Sequence, residues 1–229
     1  MPCADDVATM RGIRWGRWLT AVCAIAFSVW AWNSSPLNLR DRLFPKHLAE
    51  VYPALLYRSG QIDPRLIEQT LRELEIARIV DLTGEHGSEE QRVEREIAQR
   101  LRIEYRSFQL GGSGTGDVEQ YVGAIEAIDD SVRRGRPVLV HCRAGDRRTG
   151  GVVAAYQLLV RGESSARAIE ELERFARSSL ADAPLWRYLD EQLPEMARRL
   201  VERGVVLRGS WDPLAGSDAL VHRDGLGDG

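Results

Sequence analysis

Pro137-Val138-Leu139-Val140-His141-Cys142-Arg143-Ala144-Gly145-Asp146-Arg147-Arg148-Thr149-Gly150 decides how the rest of this chain is read. Val138-Leu139-Val140 is a short apolar, β-branched run that predicts a buried strand. Gly145 permits a tight loop after it, and a helix is predicted from Gly150 to Val160. A thiol, the loop amides and a guanidinium are thereby gathered at a helix N-terminus, where unpaired N–H groups and the positive end of the helix dipole attract an anion. The segment from Cys142 through Arg143, Ala144, Gly145, Asp146 and Arg147 to Arg148 predicts a nest of inward-pointing amides sized for phosphate. Arg148 supplies a planar two-pronged clamp that lysine does not reproduce. Cys142 is the candidate nucleophile. A free thiol, with a pKa of about 8.5, is only a few per cent ionised at neutral pH, so the site has to lower it. Thr149 is placed to donate its hydroxyl to the thiolate, and His141 to order the loop and tune the thiol.

A cysteine followed six positions later by arginine is weak on its own in a chain with 31 basic residues, all arginine but Lys46. The other two cysteines lack the partner: six residues past Cys3 stands Thr9, and past Cys23 stands Val29. Context strengthens the match, because the strand, His141, Gly145 and Thr149 all agree with it.

His141 to Thr149 resembles the His-Cys-x-x-Gly-x-x-Arg-Thr signature of protein-tyrosine and dual-specificity phosphatases. Leu56-Tyr57-Arg58-Ser59-Gly60-Gln61 is similar to a segment of the atypical dual-specificity phosphatases of bacteria, fungi and plants. The resemblance spans roughly residues 50 to 180. It implies a compact α/β domain with a central sheet flanked by helices, a two-step mechanism without metal or other cofactor, and a phosphomonoester substrate. It also implies an aspartate that protonates the leaving group, and here two candidates stand. Asp117, after the glycine-rich loop Gly111-Gly112-Ser113-Gly114-Thr115-Gly116, is the only aspartate between Asp81 and Asp129; it also fits a capping box for the helix that follows. Asp146 is the second. Related sequences place an aspartate directly before the clamping arginine, whereas here the order is Gly145-Asp146-Arg147-Arg148. The four glycines beside Asp117 are read as a loop able to close over substrate.

With 229 residues and a net charge of −3, the chain has room for one domain plus short appendages and lacks the charge of a general nucleic-acid binder. Three cysteines make no disulfide framework. Residues 1–17 form a short segment with Arg11, Arg14 and Arg17, followed by a run from Trp18 to Trp32 without a charge. Extended to 18–37, that run reaches the length of a membrane span of about 20 residues, with tryptophans at both ends. We read it as an anchor, with a cleavable signal peptide as the rival. The basic N-terminal flank leaves the catalytic part in the periplasm or exterior, a bias that Arg40, Arg42 and Lys46 blunt. Residues 38–50 are a linker, 51–203 the phosphatase domain, and 204–229 a Gly- and Asp-rich tail.

Within the domain, strands are expected at Val51–Tyr57, Arg78–Leu82 and Ile103–Leu110, and helices at Arg65–Glu75, Ser88–Leu101, Asp117–Arg134, Ser164–Arg177 and Pro184–Arg203. Arg58 reads as a buried brace for the catalytic loop, and Asp81 as scaffold paired with such an arginine. No His, Cys, Asp and Glu cluster has metal-ligand spacing. The expected partners are a phosphoprotein or a phospholipid, with an inositol phosphate as a further substrate class, and the membrane through the N-terminal helix. A phosphate-binding module without turnover, and a sulfur-transfer or arsenate-reducing enzyme, are the readings from other classes.

Overall fold

The structure, a computed structural model, describes residues 43–85, 87–175 and 183–206. The expected anchor at 18–37, the first part of the linker (38–42) and all but the first three residues of the 204–229 tail lie outside the described residues. Among the described residues, no helix is long and apolar enough to cross a membrane.

Five strands form one mixed sheet in the order β1-β2-β5-β3-β4. They are β1 (Ala49–Tyr52), β2 (Leu56–Ser59), β3 (Arg78–Asp81), β4 (Glu104–Ser107) and β5 (Val138–His141). β1 runs antiparallel to β2 at the edge, and β2, β5, β3 and β4 are mutually parallel. β3 and β5 are buried at every position, which explains why Ile79-Val80 and Val138-Leu139-Val140 are continuous rather than alternating apolar runs. Among the described residues six helices surround the sheet: α1 (Ile67–Glu73), α2 (Glu89–Leu101), α3 (Val118–Arg133), α4 (Arg147–Leu159), α5 (Ser165–Glu173) and α6 (Ala183–Glu202). Val80, Val138 and Val140 pack with α3, α4 and α6 on one face. Ile79 and Leu139 pack with α1 and α2 on the other, and α5 lies on α4.

The structure revises several expected boundaries for local reasons. The single strand expected over Val51–Tyr57 is a hairpin. Pro53 has no N–H to donate, Ala54 adopts a left-handed φ of 55°, and Leu55 N–H closes the turn on the Tyr52 carbonyl at 3.1 Å. Asp63-Pro64 opens a turn, with Arg65 N–H on Asp63 Oδ1 at 2.9 Å, before α1 begins at Ile67. Ser88 caps α2 by accepting from Gln91 N–H at 3.2 Å. The fourth strand stops at Ser107, and Gln109 and Leu110 continue only as isolated bridges. α4 begins at Arg147, three residues before the expected start at Gly150, because Asp146 caps it. That shift places Arg148 and Thr149 in the first helical turn, where backbone amides have no partner inside the helix.

Candidate active site

In a parallel sheet the loops at the carboxyl ends of the strands share one edge, and this chain gathers its chemistry there. β5 ends in His141-Cys142, β2 ends in Ser59-Gly60, and β3 ends in Asp81. Ser59, His141 and Asp81 lie in register across the three strands.

The catalytic loop turns on Gly145. Its φ is +76°, and a Cβ there would lie 2.4 Å from the Gly60 amide nitrogen. Gly60 answers from the other side, since a Cβ on it would lie 2.9 Å from the Ala144 carbonyl oxygen. Gln61 N–H donates to the Arg143 carbonyl at 3.2 Å. The Tyr57-Arg58-Ser59-Gly60-Gln61 segment is therefore the wall against which the loop is folded.

Cys142 is 1% exposed, and its Sγ accepts the Gly145 N–H at 3.2 Å. Burial opposes ionisation of the thiol. The Thr149 hydroxyl, the Arg148 guanidinium and the amides of Gly145 and Thr149 outweigh it, so the thiol pKa lies below its ordinary value. The buried Thr149 Oγ1 has no other hydrogen-bond partner, leaving its proton for the sulfur. Arg143 is exposed at the rim, Ala144, Asp146, Arg147 and Arg148 are half-buried, and Gly145 and Thr149 are buried. Asp146 is committed to the start of α4, accepting from Arg147 N–H at 2.5 Å. Such an arrangement is suited to hold an oxyanion above a thiolate.

Two buried side chains brace it from behind. Arg58 is fully buried, donates to the Gly145 carbonyl at 2.5 Å and forms an ion pair with Glu171 on α5. Its guanidinium also lies over the Phe175 ring, 4.2 Å from the centroid. Removing one partner of such a pair strands a buried charge. Arg58→Met is therefore expected to lower stability by about 3–5 kcal/mol, with partial recovery when Glu171→Met is added; denaturant unfolding of the two variants measures both.

His141 is the other brace, 1% exposed with Nε2 3.3 Å from Glu94 Oε2 on α2. Burial works against its charge, but Glu94, Asp81 and Cys142 together raise its pKa to about 9. The expected pairing of Asp81 with an arginine is overturned. Asp81 accepts from Thr83 N–H at 2.9 Å, Thr83 Oγ1 at 2.6 Å, Gln91 Nε2 at 2.8 Å and Tyr105 Oη at 3.0 Å. Side chains alternate between the faces of a sheet. Arg58 shares a row with Val140 and Val80, and Asp81 sits in the next row, on the opposite face.

Asp117 is exposed and caps α3 by accepting from Glu119 N–H at 2.9 Å. The reciprocal half of the expected capping box is missing, because Gln120 Oε1 instead accepts from Gln109 N–H at 2.9 Å. The glycine-rich loop before Asp117 is tied down at many points. Gly111 N–H donates to the Thr115 carbonyl at 2.7 Å, Tyr188 Oη donates to the Gly116 carbonyl at 2.8 Å, and Tyr121 donates to the Gly114 carbonyl. A Cβ on Gly114 would lie 3.1 Å from the Arg147 carbonyl oxygen, so this loop abuts the phosphate-binding loop.

Sequence reading missed Glu94, Gln91, Tyr105 and Glu171. Their signal is a polar residue on an inward helix position: Gln91, Glu94 and Ala98 share the buried stripe of α2, as Ala168 and Glu171 share that of α5. It also missed His47, whose ring lies 5.5 Å from that of Phe175 and beside the Ala144 backbone.

Residues 61–192 match the dual specificity phosphatase catalytic domain, more than half of the chain. The chain belongs to that family. No curated protein matches it in sequence. Among solved structures, it is similar to TpbA from P. aeruginosa (TM-score 0.53, 19% identity, 67% of this chain and 96% of that one). It is similar also to the core catalytic domain of the PP-IP phosphatase SIW14 from S. cerevisiae (TM-score 0.54, 19% identity, 70% and 94%). Tk-PTP is a third (TM-score 0.54, 22% identity, 67% and 95%). At these identities the likeness concerns the fold.

Proposed function

We propose that this chain is a membrane-tethered phosphatase that hydrolyses phosphomonoesters through a phosphocysteine, with phosphotyrosyl or other phosphorylated proteins as its substrates. The observation that carries the reading is the Cys142 sulfur, bonded to the Gly145 amide at the N-terminus of α4 with Arg148 and Thr149 in the first turn. The Cys142 thiolate attacks phosphorus and the P–O ester bond breaks, while Arg148 and the loop amides hold the equatorial oxygens. Asp117 gives a proton to the leaving oxygen. Water then gives a proton to the Asp117 carboxylate and attacks phosphorus, the P–S bond breaks, inorganic phosphate leaves, and the Thr149 hydroxyl stabilises the returning thiolate. TpbA, which has also been crystallised with pTyr, supports a phosphotyrosyl substrate. The rim favours a second reading, an inositol phosphate or phospholipid head group: Arg143 is exposed there, Lys46 packs against Gly60, and SIW14 is a PP-IP phosphatase. The 18–37 segment serves as the tether, with the catalytic domain outside the cytoplasm.

The test is phosphate release by the full chain in detergent without added metal, from an aryl phosphate, a phosphotyrosyl peptide, an inositol phosphate and an anionic phospholipid. Acid-quenched enzyme is expected to carry one phosphoryl group on Cys142, read by mass spectrometry of its peptides. A phosphoryl group on another residue, or release from none of the four, would overturn the proposal. The acid assignment has its own check. Asp117→Asn is expected to slow alkyl phosphates about 100-fold and to spare aryl phosphates with good leaving groups, the usual size of a general-acid contribution. The same pattern in Asp146→Asn, with Asp117→Asn unaffected, moves the role to Asp146.

A further inference from the structure

The phosphate-binding face accounts for the loop, but a second polar cluster lies buried behind it, between the sheet and α2, and reaches the loop through Gln61 and His141. Glu94 is 2% exposed and sits on the inward stripe of α2 among Gln91, Ile97 and Ala98. A carboxylate is costly there unless it is paired. Its Oε1 has no hydrogen-bond partner, so Oε2 carries the contacts. Those contacts are His141 Nε2, Gln61 Nε2 and Tyr105 Oη, each at 3.3 Å. Tyr105 has one proton and lies nearer Asp81 Oδ2, at 3.0 Å, and Gln61 is neutral. The charged partner of Glu94 is therefore His141, the residue immediately before Cys142.

We propose that Glu94 is a positioning residue that keeps His141 cationic behind the catalytic loop and thereby holds Cys142 as the thiolate. This rests on the reading of Cys142 as nucleophile and extends it from the pocket to a helix with no contact to substrate. The groups facing His141 are Glu94 from α2, Asp81 from β3, with the Tyr105 phenol from β4 bonded to both carboxylates, and Cys142 from its own loop. Asp81 already has five other donors, from Thr83, Gln91, Tyr105 and Ser107, that occupy its oxygens. Glu94 has the stronger hold on the imidazole: its Oε2 lies 3.3 Å from Nε2, an ion pair once the ring is protonated, and it leads the influences that raise the His141 pKa. A cation abutting the start of the loop stabilises the sulfur in its charged form, as an opposite charge does for any buried titratable group.

Glu94→Gln keeps the shape of the side chain and removes its charge. The measurement is the pH dependence of Cys142 alkylation by iodoacetamide in the full chain, followed on the Cys142 peptide, because only the thiolate reacts. The alkylation rate at about pH 6 is expected to fall about tenfold, the effect of one pKa unit, while Glu94→Asp retains most of the wild-type profile. A purely structural role for Glu94 would leave the profile of folded protein unmoved, and that result would overturn the proposal. Should Glu94→Gln fail to fold, the unaltered protein still decides. The His141 ring, observed by NMR, is expected to remain doubly protonated at about pH 7.5, above the ordinary imidazole value of about 6.5. A neutral ring there would sink the inference. Alkylation needs no turnover, so a chain that released no phosphate yet showed the shift would fail as a phosphatase and keep this device.

Discussion

Cys142→Ser is expected to lower phosphate release by about 10⁵-fold or more, the scale on which covalent enzymes lose rate when their nucleophile is replaced. The loop is built to ionise a thiol. Burial opposes it, and the Thr149 hydroxyl, Arg148 and two amides overcome that opposition for a group whose ordinary pKa, about 8.5, lies within reach of neutral pH. An alcohol ionises so much less readily that the same donors leave serine protonated. The substitution changes one atom at a site with little freedom, since Cys142 is 1% exposed. The amide nest and Arg148 remain, so affinity for a phosphorylated ligand is expected to persist while turnover disappears. Calorimetric titration with an aryl phosphate beside a phosphate-release assay separates the two. Turnover surviving in the variant would place the nucleophile elsewhere.

The second large effect is expected at a residue with no chemistry of its own. Gly145→Ala demands a left-handed conformation of alanine, at about 1–2 kcal/mol, and sets a Cβ 2.4 Å from the Gly60 nitrogen and 2.7 Å from the Ser59 carbonyl carbon. Both contacts are backbone, so no rotamer relieves them. The loop has to lift off β2, which draws the Gly145 amide away from sulfur and its carbonyl away from Arg58. Turnover is expected to fall about 10²–10³-fold, comparable to the loss of one oxyanion donor. Unlike Cys142→Ser, this variant is also expected to bind phosphate weakly and to show a raised thiol pKa in the alkylation assay. Full activity in Gly145→Ala would show that the loop has room that its contacts deny.

The pocket itself was legible in the sequence because its spacing is local. Cys142, Gly145, Arg148 and Thr149 lie within one strand-loop-helix turn, and each residue type announces its chemistry. The α/β architecture followed from the alternation of apolar runs and capped helices, such as the one opened by Ser88. What escaped reading depends on pairings distant along the chain. Nothing local says that Arg58 meets Glu171, or that His141 meets Glu94, because register across parallel strands sets those contacts. Asp81 was assigned the wrong partner for the same reason, since its row in the sheet decides which face it sees. The start of α4 was set three residues late because Arg147, Arg148 and Thr149 read as part of the loop, whereas Asp146 caps the helix ahead of them.

The sheet also insulates the two braces from each other. Glu171 holds the loop through Arg58 on one face, and Glu94 holds His141 on the other, with the buried strands between them. Each brace consequently answers to its own helix, although Arg58 as well as His141 lies within electrostatic reach of the sulfur. Drift in α5 therefore reaches the loop through Arg58 and drift in α2 through His141, along separate contacts.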